Sequence, residues 1–153
     1  MKPVLVLALS ALELTIACAS APVRHDFERT TQFQESDFDA VWTAVIDVFG
    51  DRGWAIDNME KDSGFIATDW MTLSRSDRDV MDCGSAGLNV DSDHAVKFNV
   101  VVRPIGNGAS MTVNTTFRAN RCFGDTCNLI DCVSTGGLET ILVDAVRGRV
   151  SQG

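Results

Sequence analysis

The sequence predicts an α+β domain in which one antiparallel sheet carries two amphipathic helices on one face, in the order β-α-β-β-β-β-α. Three observations lead there. Between residues 38 and 49 the apolar side chains recur with a helical period, and a second such stripe spans 138–146. Between them, residues 96–102 and 111–119 alternate apolar and polar on either side of Gly106-Asn107-Gly108. Sequential antiparallel strands with helices kept apart from them pack as a single sheet covered on one side. A chain of 153 residues suits one domain with a substantial core, placed here at 26–153.

The elements follow in order. Residues 26–34 (DFERTTQFQ) alternate Phe27, Arg29, Thr31 and Phe33 against their neighbours and predict an opening strand. Phe38, Val41, Trp42, Val45, Val48 and Phe49 then form one broad helical stripe. Ser36 is placed to cap this helix, Asp37 and Asp39 suit the positive end of its dipole, and Gly53 can end it in the left-handed region. From Trp54 the period changes to two. Lys61-Asp62-Ser63-Gly64 supplies a turn, and 65–71 returns with Ile66, Thr68 and Trp70 on one face. Residues 72–93 hold no period and predict a long connection carrying Cys83. The 96–119 hairpin follows, then a cysteine-rich connection over 120–133 and a closing helix from Ser134 to Val150.

The amino terminus carries targeting information rather than fold. Lys2 precedes an apolar run over 3–12, too short to span a bilayer and of the length of a signal-peptide core, so 1–17 is expected to be a signal peptide. The run Thr15-Ile16-Ala17-Cys18-Ala19-Ser20 resembles the lipobox of bacterial lipoproteins, which implies a lipid-modified Cys18 and a short tether over 18–25. Ordinary signal-peptidase cleavage after Ala19 is the alternative and implies a soluble periplasmic protein. Either route leaves four cysteines, an even number. Ala19 and Ser20 lack the aspartate typical of inner-membrane retention, which points to the outer membrane.

Charge and motifs exclude several functions. A net charge of −8 argues against nucleic acid and against electrostatic docking on anionic lipid. In an exported protein the ordinary fate of Cys83, Cys122, Cys127 and Cys132 is two disulfides, with Cys83 expected to join one of the later three. A metal site built from these thiols and His94 would depart from zinc-knuckle spacing, and no C-x-x-C redox motif is present. The histidines are His25, in the tether, and His94, beside Asp91 and Asp93. Those aspartates, like Asp79 and Asp82, read as solvated loop residues. Gly106–Gly108 lacks the strand–helix context of a phosphate loop. No catalytic, cofactor or metal residues are therefore assigned.

The positions Trp42, Arg52, Gly53, Trp54, Ile56, Asp62, Ser63, Gly64, Ile66, Thr68 and Trp70 show a helix tryptophan, an "RGW-I" strand entry and a "D-SG-I-T-W" hairpin. In these features the chain resembles the repeated domain of BamC, the lipoprotein C subunit of the bacterial outer-membrane β-barrel assembly machinery. The resemblance implies a helix-grip fold, a curved antiparallel sheet holding a long helix, with no catalytic residues. The expected function is a non-enzymatic envelope lipoprotein, a protein-interaction or assembly module at the periplasmic face of the outer membrane. The alternative is a small-ligand or lipid-binding protein using the groove between sheet and helices. Trp70, Met71 and Leu73 at the hairpin exit are the candidate interaction residues.

Overall fold

A computed structural model describes residues 19–152. It is α+β, with two helices and eight antiparallel strands. The sheet is built on a hairpin of two 16-residue strands, β6 (Val90–Ile105) and β7 (Gly108–Phe123). The loop between them is Gly106-Asn107 alone, with Gly106 in the left-handed region at φ 57°, as a two-residue hairpin turn demands. Strands β3 (Phe65–Thr68) and β4 (Met71–Thr72) share the outer side of β6, and β2 (Ile56–Glu60) pairs with β3. On the far side, β1 (Thr30–Phe33) and β8 (Thr126–Ser134) share β7, and the short β5 (Met81–Asp82) pairs with the end of β8.

The helices occupy one face of this sheet. Helix α1 (Phe38–Asp51) buries Val41, Trp42, Val45, Val48 and Phe49 of the stripe read from its period, each worth about 1.5–3 kcal/mol, while Phe38 at its start is half-buried and stacks on Trp42. Its N-cap is Asp37 rather than Ser36: the Asp37 carboxylate accepts from the Ala40 amide at 2.9 Å. Both residues can cap. Asp37 directly precedes the first helical residue, which puts its carboxylate within reach of the N3 amide. At the other end the chain closes in a Schellman motif. The Gly53 amide donates to Gly50 and the Trp54 amide to Phe49, with Gly53 at φ 66°. The accompanying apolar contact is Trp54 edge-on to Phe49, with ring centroids 5.7 Å apart, and both rings also meet Phe98 of β6.

Helix α2 (Gly137–Val150) begins three residues later than its pattern predicts, because Ser134 ends β8 and Gly136 turns the chain at φ 87°. Its first-turn acid, Glu139, is only 1% exposed. It accepts from Thr115 of β7 at 2.6 Å and Ser134 of β8 at 2.8 Å, while Ser134 in turn accepts from the Gly136 amide. A buried carboxylate needs such donors, and these fasten the helix start to two strands. Thr115 lies opposite Phe98 in the ladder, so Glu139 and Phe49 mark the same sheet face, and both helices pack there.

Two segments differ from expectation. The cysteine-rich 120–133 is not a connection but the end of β7, a Gly124-Asp125 turn and β8, which adds a strand to the predicted order. Cys122 and Cys127 lie directly opposite each other in the ladder and are disulfide-bonded. The expected connection 72–93 instead holds the end of β4, a 3₁₀ helix (Arg75–Val80), β5 and the first four residues of β6, and Cys83 is joined to Cys132. Cys18 and the signal peptide lie outside the described residues. Residues 20–25 are held to the body: Ser20 exchanges hydrogen bonds with Ser85, and the Val23 amide donates to Asp82.

The two disulfides close loops of very different length, with sequence separations of 49 and 5. Replacing Cys83 and Cys132 by serine is expected to cost about 4 kcal/mol, against about 2 kcal/mol for Cys122 and Cys127, as measured by urea unfolding. Gly64 sits at φ 61° with its carbonyl accepting from the Val102 amide, and a Cβ there would overlap the Val102 carbonyl oxygen. Gly64→Ala is expected to lower stability by about 2 kcal/mol or more in the same assay.

Candidate functional site

The free edges of the sheet differ in chemistry. The β2 edge carries Asp57 and Glu60, charges that discourage another strand from pairing there. The β8 edge is different. β5 covers it only at Val133 and Ser134, and no other described strand pairs with residues 126–131 on that side. Its run Thr126-Cys127-Asn128-Leu129-Ile130 has no charge, and Asp125 and Asp131 bracket it. Leu129 is 62% exposed. Cys127 faces Cys122 across the ladder, and Cys122 faces the exposed Val90, so a disulfide and two aliphatic side chains form a strip on the sheet's outer face. Phe123, at the hairpin tip, is exposed as well. Apolar groups gathered on an uncharged edge differ from the scattered exposed apolar residues of an ordinary surface.

The candidate interaction residues Trp70, Met71 and Leu73 do not form one surface. Met71 pairs opposite Val96, whose side chain is buried, and packs with Leu73 against the core. Both line a cleft of about 450 Å³, together with Trp54, Val80, Phe98 and Leu138, and Arg52 and Asp77 also line it. Trp70 lies on the other side of the sheet, with the Arg118 guanidinium 3.7 Å from its ring centroid and Lys97 at 5.1 Å. The ring is taken up by its own cations.

His94, Asp91 and Asp93 lie within β6 and not in a loop, with Asp91 half-buried and Asp93 exposed. The β6–β7 register slips between Ser92 and Ala95, a β-bulge with Asp93 at φ 48°. The bulge leaves His94 buried, 6% exposed, at the base of an open surface depression of about 470 Å³ that Arg78, Asp82, Asp91 and His25 also line. Asp91 binds Arg121 through both oxygens at 2.8 Å. Asp82 accepts from Gly84 at 2.6 Å and from Val23 at 3.0 Å, with His25 at 3.4 Å. The sequence showed these residues as a polar list. Their grouping depends on the bulge, which leaves no mark in the sequence beyond one aspartate able to adopt a left-handed backbone.

These environments set a pH response. Burial, then the nearby Arg78 charge, pushes His94 below its ordinary 6.5, against a smaller opposing pull from Asp91 and Asp93. The folded chain thus binds this proton less readily than the unfolded one. The stability involved is complete above pH 6.5 and is lost as pH falls from there through the depressed folded value. The Arg121 hydrogen bonds hold Asp91 below 3.8, and the Gly84 and Val23 amides hold Asp82 below it, so their share is lost only under stronger acid. Urea unfolding between about pH 7 and pH 5 is expected to show declining stability, with a shallower decline in His94→Gln. No family model matches this chain, and no curated protein matches it.

Proposed function

We propose that this chain is a non-enzymatic lipoprotein of the bacterial envelope, anchored through Cys18 to the outer membrane and facing the periplasm. There it serves as a protein-interaction module. The observation that carries the reading is the uncharged, uncovered edge of β8 beside the exposed Leu129, Val90 and Phe123. An extended segment of a partner can add to such an edge by main-chain hydrogen bonding. Asp125 and Asp131 at either end of the run favour a partner strand with an apolar centre and basic flanks, and the net charge of −8 favours the same sign. Two disulfides are consistent with an oxidising compartment, and the signal-like amino terminus with export. The helix-grip fold of BamC-like domains belongs to this proposal, and α1 lying on the antiparallel sheet supports it.

A second reading rests on the cleft between the helices and β4. Its apolar walls, with a guanidinium and a carboxylate beside them, suit a small amphipathic ligand.

Site-specific photocrosslinking in the producing cell separates the two. A crosslinker at position 129 is expected to capture a discrete protein adduct that one at position 59, on the β2 edge, does not. Leu129→Lys, with the crosslinker moved to position 123, should abolish the adduct while changing stability by less than about 0.5 kcal/mol. Adducts from position 59 alone would defeat the β8 assignment.

A further inference from the structure

We propose that the Cys122–Cys127 disulfide is a thiol-exchange site, at which a cationic thiol attacks the Cys127 sulfur, stays there as a mixed disulfide and releases Cys122. The chemistry does not depend on strand addition at β8. Both sulfurs lie on the sheet face that the helices leave uncovered, with Cys127 exposed and Cys122 half-buried. A thiolate attacks a disulfide along the S–S axis, so Cys127 is approached from beyond β8. No described strand pairs with residues 126–131 on that side, and the approach is open. Attack on Cys122 would have to come across β6, where Val90 lies opposite it and the Ser92 hydroxyl sits 3.8 Å from its sulfur. The second disulfide is the internal control. Cys132 is 8% exposed and belongs to the core, so attack on Cys83 would expel a thiolate into apolar surroundings that stabilise it poorly. Exposed disulfides are the labile ones, and this chain holds one of each kind.

The exchange balances without an outside oxidant or reductant. The incoming thiol gives its proton to water, its sulfur bonds to Cys127 Sγ, and the Cys122–Cys127 bond breaks with the electron pair left on Cys122. The Ser92 hydroxyl is close enough to donate to that new thiolate. Cys122 remains opposite Cys127 in the ladder, placed to expel the newcomer, so the modification is reversible. Charge selects the thiol. Asp125 stands two residues from Cys127, and Asp93 accepts from the same Ser92 hydroxyl at 3.3 Å, beside Cys122. The adjacent Arg121 offers no relief, because Asp91 binds it through both oxygens. An approaching thiolate therefore meets repulsion, which an ammonium or guanidinium on the same molecule offsets. A small amino thiol and a cysteine set between basic residues of a peptide share this chemistry.

Exchange on the folded protein with both disulfides intact tests the site. Samples treated with excess thiol are quenched in acid, alkylated with a maleimide and cleaved at Asp125, which separates Cys122 from Cys127 for mass spectrometry. Cysteamine is expected on Cys127 and maleimide on Cys122, at least about tenfold faster than any opening of Cys83–Cys132. Per unit of thiolate, cysteamine should outpace glutathione several-fold at low salt, and the ratio should shrink at about 0.5 M salt. Asp93→Asn should shrink it too, and asparagine tolerates the left-handed backbone at that position. A Lys-Val-Cys-Val-Lys peptide reacting about tenfold faster than cysteamine identifies a partner's cysteine, and equal rates a small amino thiol. Thiol carried mainly by Cys122, opening of Cys83–Cys132 at the same rate, or glutathione matching cysteamine at low salt would overturn the proposal. Those three readings come from the wild-type protein and decide the matter even if Asp93→Asn does not fold.

Discussion

The long pairing of β6 with β7 is the constraint from which the other elements take their positions. From Ile105↔Gly108 at the turn to Val90↔Cys122 at the far end, the two strands stay in register apart from one bulge. The remaining sheet attaches to their outer edges, with β3 and β4 along β6 and β1 and β8 along β7. The inner side chains Phe98, Val100, Val113 and Phe117 form the floor on which both helices rest. A slip of one residue would turn this floor outward, so register and core are one requirement. The Gly106-Asn107 turn sets that register locally, before any long-range contact is made.

The hairpin is longer than the helices can cover, and this divides the molecule into two regimes. Toward the turn, inner positions of β6 and β7 are buried almost without exception. Toward Phe123, both faces are largely open and hydrophobic packing gives way to covalent and ionic ties. The Cys122–Cys127 bond joins β7 to β8, Cys83–Cys132 brings in β5, and Arg121 with Asp91 bridges β7 to β6. This end carries the exposed aliphatic strip, the uncovered edge and the open polar depression around His94. Features open to binding collect where the core has stopped.

What the sequence made legible follows from where burial is one-sided. The α1 stripe, its Gly53 terminator and the alternation in 96–102 were readable because each places apolar groups on a single face. β8 was not, since Cys127, Asn128 and Leu129 are all exposed and leave no alternation to detect. Its available signal was the two-residue Gly124-Asp125 loop between cysteines that pair across it. Trp70 and Met71, adjacent in the chain, had to part to opposite faces by the strand period. Glu139 resembled an ordinary first-turn acid because its partners, Thr115 and Ser134, come from two strands. The Arg78–His94 grouping was likewise hidden, assembled from a 3₁₀ helix and a bulge.

The docking of residues 20–25 onto Ser85 and Asp82 bears on how the domain would ride on a bilayer. Ser20 is fixed to the body only two residues beyond Cys18, a reach of about 7 Å at full extension. In the lipidated form proposed above, the leash would have almost no slack. The globule would sit flush with the headgroups at a set tilt instead of sampling a wide volume of periplasm, and its neighbours would be met at one fixed height above the membrane.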